Sequence, residues 1–214
     1  MAFKEWMKEN EINGCQIEEE ILKYQSFLNN LFTRIRKNLD VVISYIGDIT
    51  DSYFHGILSM RYNEGGSVYA YSMFSRVIFY SNQAQSYLDM CTPNIQKVNE
   101  AIKSIVENLS AKKNAVTRTS TISEAYKQQI YKIINKMLSK MQFLTPQIEN
   151  IIRLQSELYS MLTRIVDMVN EHYILHKGRK LTQFLLEGLE NDMRDILLLS
   201  RKLRAVCEFT ANPL

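Results

Sequence analysis

Apolar side chains recur every three or four residues over most of the chain, which is the spacing of one face of an α-helix. The clearest stretch lies between Ile122 and Tyr173. Its apolar positions are Ile122, Tyr126, Ile130, Ile133, Met137, Met141, Leu144, Ile148, Ile151, Leu158, Leu162, Ile165 and Val169. Pro146 is the only helix breaker inside it, and the period continues past that proline without losing phase. The spacing predicts one long helix that runs to about Lys177 and turns this face toward a core.

Two further long arms and one shorter arm show the same period. They run from Ile17 to Met60, from Ala70 to Leu109, and from about Lys180 to Phe209. Pro93 lies inside the second arm as Pro146 lies inside the third. At each proline, a kinked continuous helix competes with a break into two helices. The retained phase favours the kinked helix.

The boundaries between arms are read from residues that favour turns and caps. Gly47 and Gly56 predict a kink or a break inside the first arm. The polar, basic stretch Ser110–Thr121 is predicted to be a loop, and Thr121 with Glu124 has the spacing of a capping box that begins the next helix.

Residues 1–14 are predicted to form a separate short amphipathic arm, which the turn signal Asn13-Gly14 ends. This arm carries Trp6, the only tryptophan of the chain. Trp6 either docks on the rest of the protein or anchors to a partner, and docking is the simpler interpretation.

The pattern as a whole predicts an all-α protein: an elongated antiparallel bundle of long, proline-kinked helices. Residues 15–214 form this bundle as a single domain. Only 7 glycines and 3 prolines among 214 residues fit few turns and long elements.

Composition limits the class of protein. The chain is 46% hydrophobic and 23% charged, which is ordinary for a folded domain, and its net charge of +3 does not by itself indicate a nucleic-acid or membrane partner. Cys15, Cys91 and Cys207 are odd in number and widely spaced, which suits a reducing compartment. No signal peptide or membrane span is evident, so we expect a cytoplasmic protein, with leaderless export as the alternative.

Two groups of residues are candidates for metal chemistry. His172 and His176 are four residues apart on one predicted helix face, a spacing that suits a shared metal ion. The simpler interpretation places them at a helix C-terminus, where a histidine interacts favourably with the helix dipole. Asp48, Asp51 and His55 share a face opposite the apolar stripe and are expected to be solvated.

The third arm begins with a row of lysines. Nine basic residues against three acidic ones lie between Lys97 and Lys140, and Lys132, Lys136 and Lys140 follow one another at a spacing of four. Such a basic ridge suits the phosphates of nucleic acid or of an anionic membrane surface. A solvated face opposite the acidic Glu18, Glu19 and Glu20 is the simpler interpretation.

The segment from Tyr45 to Tyr87 is rich in aromatic residues, and Phe54 and Phe79 are predicted to point outward from the stripes. Exposed aromatic residues are enriched at protein interfaces. The alternative is a wide core in which a third helix covers them.

No Glu-x-x-His pair, P-loop, glycine-rich dinucleotide motif or nucleophile elbow occurs in the sequence. We therefore expect a non-enzymatic structural or adaptor protein without a cofactor. It would act through contacts of its long helices with other proteins, including copies of itself, as a subunit of a larger assembly. The alternatives are a membrane-surface or pore-forming bundle that uses the basic ridge and a metal-binding helical-bundle enzyme that uses His172 and His176.

Overall fold

The computed structural model describes residues 14–62, 67–171 and 183–211. They form four long α-helices, which confirms the all-α prediction of three long arms and one shorter arm. The helices are α1 (Gly14–Tyr62), α2 (Ser67–Arg118), α3 (Glu124–Val169) and α4 (Gln183–Ala211). At a rise of about 1.5 Å per residue, the 49 residues of α1 span about 73 Å.

The helices pack as a closed ring in which α1 lies between α2 and α4, and α3 lies between the same two neighbours. Contacts across the α1–α2 pair show the direction of the chain. Near the middle, Cys91 Sγ approaches the carbonyl oxygen of Ile35 (3.8 Å), and nearer the α1–α2 connection the rings of Tyr53 and Phe74 lie 6.3 Å apart. α1 and α2 are therefore antiparallel, as their short connection predicts.

The core is a seam of side chains that alternate at spacings of three and four residues along each helix, the packing of antiparallel coiled coils. In α2 this seam runs through the whole helix. Its buried members are Ala70, Phe74, Val77, Ser81, Ala84, Leu88, Cys91, Ile95, Val98, Ile102, Ile105, Leu109 and Val116.

Pro93 and Pro146 both lie inside continuous helices, so the prolines do not divide the arms. A proline lacks a backbone N–H, and one carbonyl of the preceding turn loses its helical donor. Thr145, just before Pro146, donates its hydroxyl hydrogen to the carbonyl oxygen of Met141 (3.0 Å) and so adds a local side-chain contact to that turn.

At Pro93 the added contact comes from the neighbouring helix. The amide nitrogen of Gln155 in α3 donates to the carbonyl oxygen of Leu88 (2.7 Å) and to the hydroxyl of Thr92 (2.9 Å). Gln155 is half-buried and lies directly beside Leu154, which is fully buried and continues the apolar seam of α3. A polar side chain next to the seam of one helix thus lies against the proline turn of the other.

The predicted loop Ser110–Thr121 is wrong over most of its length, because α2 continues to Arg118. Val116 is fully buried and extends the seam by two turns beyond Leu109, and its burial favours the helix over the loop that the polar composition indicated. The capping box at Thr121 is also wrong. Ser123 is the N-cap of α3, and its side-chain oxygen accepts a hydrogen bond from the backbone N–H of Tyr126 (3.4 Å).

The predicted stripe of α3 needs correction at its beginning. Tyr126 is 38% exposed and Ile133 is only half-buried, whereas Lys127 and Ile134 occupy the seam. Lys127 buries its apolar stem and places its ammonium group 2.8 Å from the carboxylate of Glu124. The helix ends at Val169, and the predicted continuation to Lys177 lies largely outside the described residues.

α1 runs uninterrupted past Gly47 and Gly56, so neither glycine introduces the break that was one of the two alternatives predicted there. The two glycines differ in their surroundings. A Cβ atom at Gly47 would meet nothing within 4 Å, whereas one at Gly56 would lie 2.9 Å from the buried ring of Phe74. Gly56 therefore allows α1 and α2 to approach closely.

This difference predicts opposite effects of the same substitution. Gly47→Ala should stabilise the protein by about 0.5–1 kcal/mol, because alanine favours the helix. Gly56→Ala should destabilise it by about 1–2 kcal/mol, because the displaced Phe74 ring costs more than the helix gains. Urea unfolding followed by circular dichroism at 222 nm measures both, and equal stabilisation by the two variants would contradict the close approach at Gly56.

Candidate protein-binding surfaces

Four aromatic rings form a contiguous group on the outside of the α1–α2 pair, which we call the aromatic cluster: Tyr45, Phe79, Tyr80 and Tyr87. The ring of Tyr45 stacks on Tyr80 with centroids 6.0 Å apart and lies 5.8 Å from the ring of Tyr87. The ring of Phe79 meets Tyr80 edge to face at 5.4 Å. The three tyrosines are half-buried, whereas Phe79 is 56% exposed.

The heptad spacing explains this arrangement. Tyr45, Tyr80 and Tyr87 flank the seam, so the antiparallel pairing of α1 and α2 brings them together across the outer groove. Phe79 is two residues from each of the seam positions Val77 and Ser81, and this places it on the outward face of α2. The sequence indicates that Phe79 points outward, but the contact among the tyrosines requires the register of the two helices.

Phe54, the other aromatic residue predicted to point outward, is 40% exposed and lies on a different surface. It follows the seam residue Tyr53 directly, with ring centroids 5.5 Å apart, on the side of α1 that faces α4. The structure therefore does not bring Phe54 and Phe79 together into one site.

The basic ridge at the beginning of α3 is only partly open to solvent. Lys132 and Lys136 are exposed and Lys140 is half-buried. Two other basic residues of this region are engaged with carboxylates, Lys112 of α2 with Glu20 and Lys127 with Glu124. The charge available to an external phosphate is therefore smaller than the sequence count indicates.

Lys136 and Lys140 line a groove between α1 and α3, which we call the α1–α3 groove. Its volume is about 310 Å³. The residues that line it are Glu18, Ile21, Leu22, Gln25, Ile133, Lys136, Met137 and Lys140. Burial within the groove, together with the nearby ammonium group of Lys136, lowers the pKa of Lys140 from its ordinary value.

Within the described residues, α4 does not extend as far as the groove. α4 ends at Ala211, and near that end the rings of Phe209 and Phe143 lie 5.9 Å apart on the surface of the bundle. Phe143 is three residues beyond Lys140, so the groove begins one turn past this contact. Along the groove, α1, α2 and α3 continue without α4 beside them.

A polar cluster joins the beginning of α1 to the end of α2. The carboxylate of Glu20 accepts hydrogen bonds from the hydroxyl of Tyr24, from Asn108 (3.2 Å) and from the ammonium group of Lys112. Burial opposes ionisation of Glu20, but these donors together outweigh it and lower its pKa below the ordinary value. Burial and the neighbouring carboxylate raise the pKa of Tyr24 to about 12.

The metal candidates remain predictions. His172, His176 and the partner-binding candidate Trp6 lie outside the described residues. Asp48, Asp51 and His55 are exposed on α1, as expected for a solvated face. Within residues 14–62, 67–171 and 183–211, no group of three or more histidine, cysteine or acidic side chains is placed to hold a metal ion.

Two cysteines lie in the core. Cys91 and Cys207 are both free and fully buried, and burial raises the pKa of each thiol to about 12. A thiol with such a pKa is a poor nucleophile at neutral pH. Both residues therefore act as small apolar members of the seam.

In the part of the chain that the structure describes, no helix has an apolar run of the length required to cross a bilayer. Comparison of the chain with models of known protein families, with characterised proteins and with solved structures finds no match.

The polar cluster predicts a pH-dependent contribution to stability. Because the pKa of Glu20 is lowered by folding, its contribution is present above its ordinary pKa of 4.5 and is lost as the pH falls through the lower folded value. Glu20→Gln should cost about 1 kcal/mol at pH 7, and this difference from the wild type should disappear in acid. Urea unfolding between pH 2 and pH 8 measures it, with the exposed Glu107→Gln as the matched control.

At high pH the sign reverses for Tyr24. Its raised pKa means that the stabilising hydrogen bond is intact below about pH 10 and is lost as the pH rises toward about 12. Tyr24→Phe should therefore lose less stability than the wild type over this interval. For Glu20, a difference in the free energy of unfolding between wild type and Glu20→Gln that stays constant from pH 2 to pH 8 would contradict the lowered pKa of its carboxyl group.

Proposed function

We propose that this protein is a non-enzymatic structural or adaptor protein that binds other proteins, including copies of itself, through the outer surfaces of its long helices. The observation that carries the proposal is the aromatic cluster, in which Phe79 is 56% exposed although the core beneath it is already filled. No helix of the described bundle covers this ring.

The chemistry of the cluster suits a protein partner. Tyrosine and phenylalanine are enriched at the centres of protein interfaces, because their rings bury a large area and lose little conformational entropy. Completing the burial of one phenylalanine side chain contributes on the order of 1 kcal/mol. The tyrosines add hydroxyl groups that can form hydrogen bonds at the edge of the buried area.

Charged residues surround the rings, as at the rim of an interface. Arg76 lies three residues before Phe79, and Asp48 lies three residues after Tyr45; both are exposed. Their charges would remain hydrated beside a bound partner and would favour one orientation of it.

The rigidity of the scaffold also supports binding by contact. The rings of Tyr45, Tyr80 and Tyr87 already pack on one another across two helices. A partner would therefore bind a surface whose side chains are already ordered, which reduces the entropic cost of association.

The test compares two exposed apolar residues on different helices. Phe79→Glu should abolish assembly, because it places a charge at the centre of the proposed contact. Leu198→Glu is the matched control, since Leu198 is 68% exposed on the outward face of α4. We expect both variants to remain within about 0.5 kcal/mol of the wild-type stability, because each residue is on the surface.

Assembly is measured by sedimentation velocity over a wide range of concentrations and by the size of the complex recovered from the native source. Wild-type protein and Leu198→Glu should sediment as an assembly, and Phe79→Glu as a monomer. A wild-type protein that is monomeric at every concentration and is recovered alone would contradict the proposal, as would loss of folding in Phe79→Glu.

Binding to an anionic membrane surface is a second candidate, supported by the exposed Lys132 and Lys136. Since Lys112 and Lys127 are engaged with carboxylates, we expect this binding to be weak. In a flotation assay at low salt with vesicles that contain phosphatidylserine, the protein should remain in the bottom fraction of the gradient, separate from the vesicles. Flotation that is lost in Lys132→Glu/Lys136→Glu but retained in Lys97→Glu/Lys103→Glu would favour the membrane function instead.

A further inference from the structure

In the middle of α1, exposed charges fall into a basic group and an acidic group. Arg34 and Lys37 precede Val42, and Asp48 and Asp51 follow it at nearly equal distances. All four charged side chains are exposed. Arg34 and Asp48 are two heptads apart, as are Lys37 and Asp51, so the two groups occupy the same outer positions of the helix. This stretch of α1 is thus basic at one end and acidic at the other.

None of these four charges is paired inside the bundle. Across the described helices, no ion pair involves any of them. Asp40 lies between the two groups in sequence but is directed toward α4, where Arg204 binds its carboxylate at 2.6 Å. The basic and the acidic group are therefore available to charges outside the chain.

The outward face of α2 carries two large exposed apolar side chains with a matching separation. Phe79 is 56% exposed and Met90 is 50% exposed. They are eleven residues, or about three turns, apart, so both lie on one face of the helix. Lys37 and Asp48 on α1 are also eleven residues apart. The two inner charges and the two apolar side chains therefore span the same length, about 16 Å.

The register of α1 and α2 places these two sets at one level. The four charges are centred just after Val42 of α1, and the two apolar residues just after Ala84 of α2. The α1–α2 contacts on either side of this level put Val42 beside Ala84. Tyr45 and Tyr87 of the aromatic cluster, whose rings lie 5.8 Å apart, join the two sets across the helix pair. The charges, the apolar residues and the cluster thus form one surface with a common centre.

A twofold axis at this centre brings each group onto its complement in a second copy. When the copies run antiparallel, residues at equal distances before and after such an axis face each other. Phe79 of one copy then meets Met90 of the other, and a contact between sulfur and an aromatic ring is favourable. Lys37 of one copy meets Asp48 of the other, and every contact occurs twice.

The charges disfavour the parallel alternative. In a parallel pair of copies each residue faces its own counterpart, so Lys37 would meet Lys37 and Asp48 would meet Asp48. Like charges opposite one another at an interface are unfavourable. Because exposed ion pairs contribute little free energy, the charges determine the orientation of the copies, and the apolar residues provide the buried area.

From the common centre, the equal separations and the charge pattern, we propose that the partner of the aromatic cluster is a second copy of this chain, docked antiparallel by the same face. The twofold axis passes between the copies at the level of Val42 and Ala84. This inference rests on the proposed function, since it names the partner that binds the same surface.

Charge reversal tests the orientation. Arg34→Asp/Lys37→Asp makes the four charges wholly acidic, and Asp48→Lys/Asp51→Lys makes them wholly basic. Each double variant should raise the dissociation constant of the dimer about tenfold or more at low salt, measured by sedimentation velocity. The fourfold variant that carries both changes should restore the wild-type constant, because the basic and acidic groups have then exchanged places.

Two controls separate this effect from general changes of charge and folding. Arg201→Asp/Lys202→Asp on α4 matches the first double variant in residue type and net charge, and both residues are exposed. It should change the dissociation constant less than about twofold, because these charges lie far from the proposed contact. Circular dichroism at 222 nm shows whether each variant keeps its helices.

A cysteine near the axis tests its position. Ser44 is exposed and lies close to the centre, so Ser44→Cys should form a disulfide-linked dimer on mild oxidation with copper–phenanthroline. The exposed Ser26→Cys is the matched control, because antiparallel docking separates its two copies by about 50 Å along the helices. The wild-type protein, which has three cysteines of its own, gives the background.

The results that overturn this inference are distinguishable from failure of the proposed function. A wild-type protein that never self-associates but is recovered with a different protein would exclude the second copy and leave the adaptor function standing. Self-association that Phe79→Glu abolishes but charge reversal leaves unchanged would contradict the antiparallel arrangement. So would failure of the fourfold variant to restore the dimer, or equal cross-linking through Ser44→Cys and Ser26→Cys. Assembly that survives Phe79→Glu would contradict the proposed function as well.

Discussion

The packing of one continuous seam of side chains determines most of this structure. A spacing that alternates between three and four residues keeps the buried face of each long helix turned toward its neighbours. Any interruption of the phase would turn an apolar face toward water over the rest of a helix of more than 40 residues. The two internal prolines are therefore tolerated only because the seam continues through both.

A polar side chain contacts the helical turn that precedes each internal proline. A proline inside a helix costs about 3 kcal/mol or more when nothing offsets it. At Pro93, Gln155 offers an amide nitrogen to the carbonyl oxygen of Leu88, from a position directly beside the fully buried seam residue Leu154. The half-buried polar side chain thus contacts the turn of α2 that precedes the proline without removing an apolar residue from the seam of α3. Such a pairing also favours one register of the two helices over others.

The sequence predicts the helices well because periodicity is a local property, and it predicts their ends less well because those depend on tertiary contacts. Ser110–Arg118 is polar enough to indicate a loop, yet the burial of Val116 against its neighbours keeps it helical. Thr121 and Ser123 are equally suitable caps from sequence, and the structure uses Ser123. Lys127 occupies a seam position because its stem is apolar and its charge reaches Glu124.

The same distinction applies to the surfaces. The phase of α2 is sufficient to predict that Phe79 points outward, because it needs only the positions of Val77 and Ser81. The contact of Tyr45 with Tyr80 and Tyr87 requires the register between α1 and α2, which one sequence does not reveal. The α1–α3 groove depends in addition on where α4 ends relative to two other helices.

Ion pairs between helices occur along the whole bundle and are not confined to one part of it. Where all four helices are present, Arg164 of α3 pairs with Asp192 of α4. Near the beginning of α1, Lys112 of α2 pairs with Glu20. Electrostatic contacts weaken with added salt and with titration, whereas apolar contacts do not. Because the apolar seam runs through both parts, a change of pH or salt alters these ion pairs while the packing that holds the helices together remains.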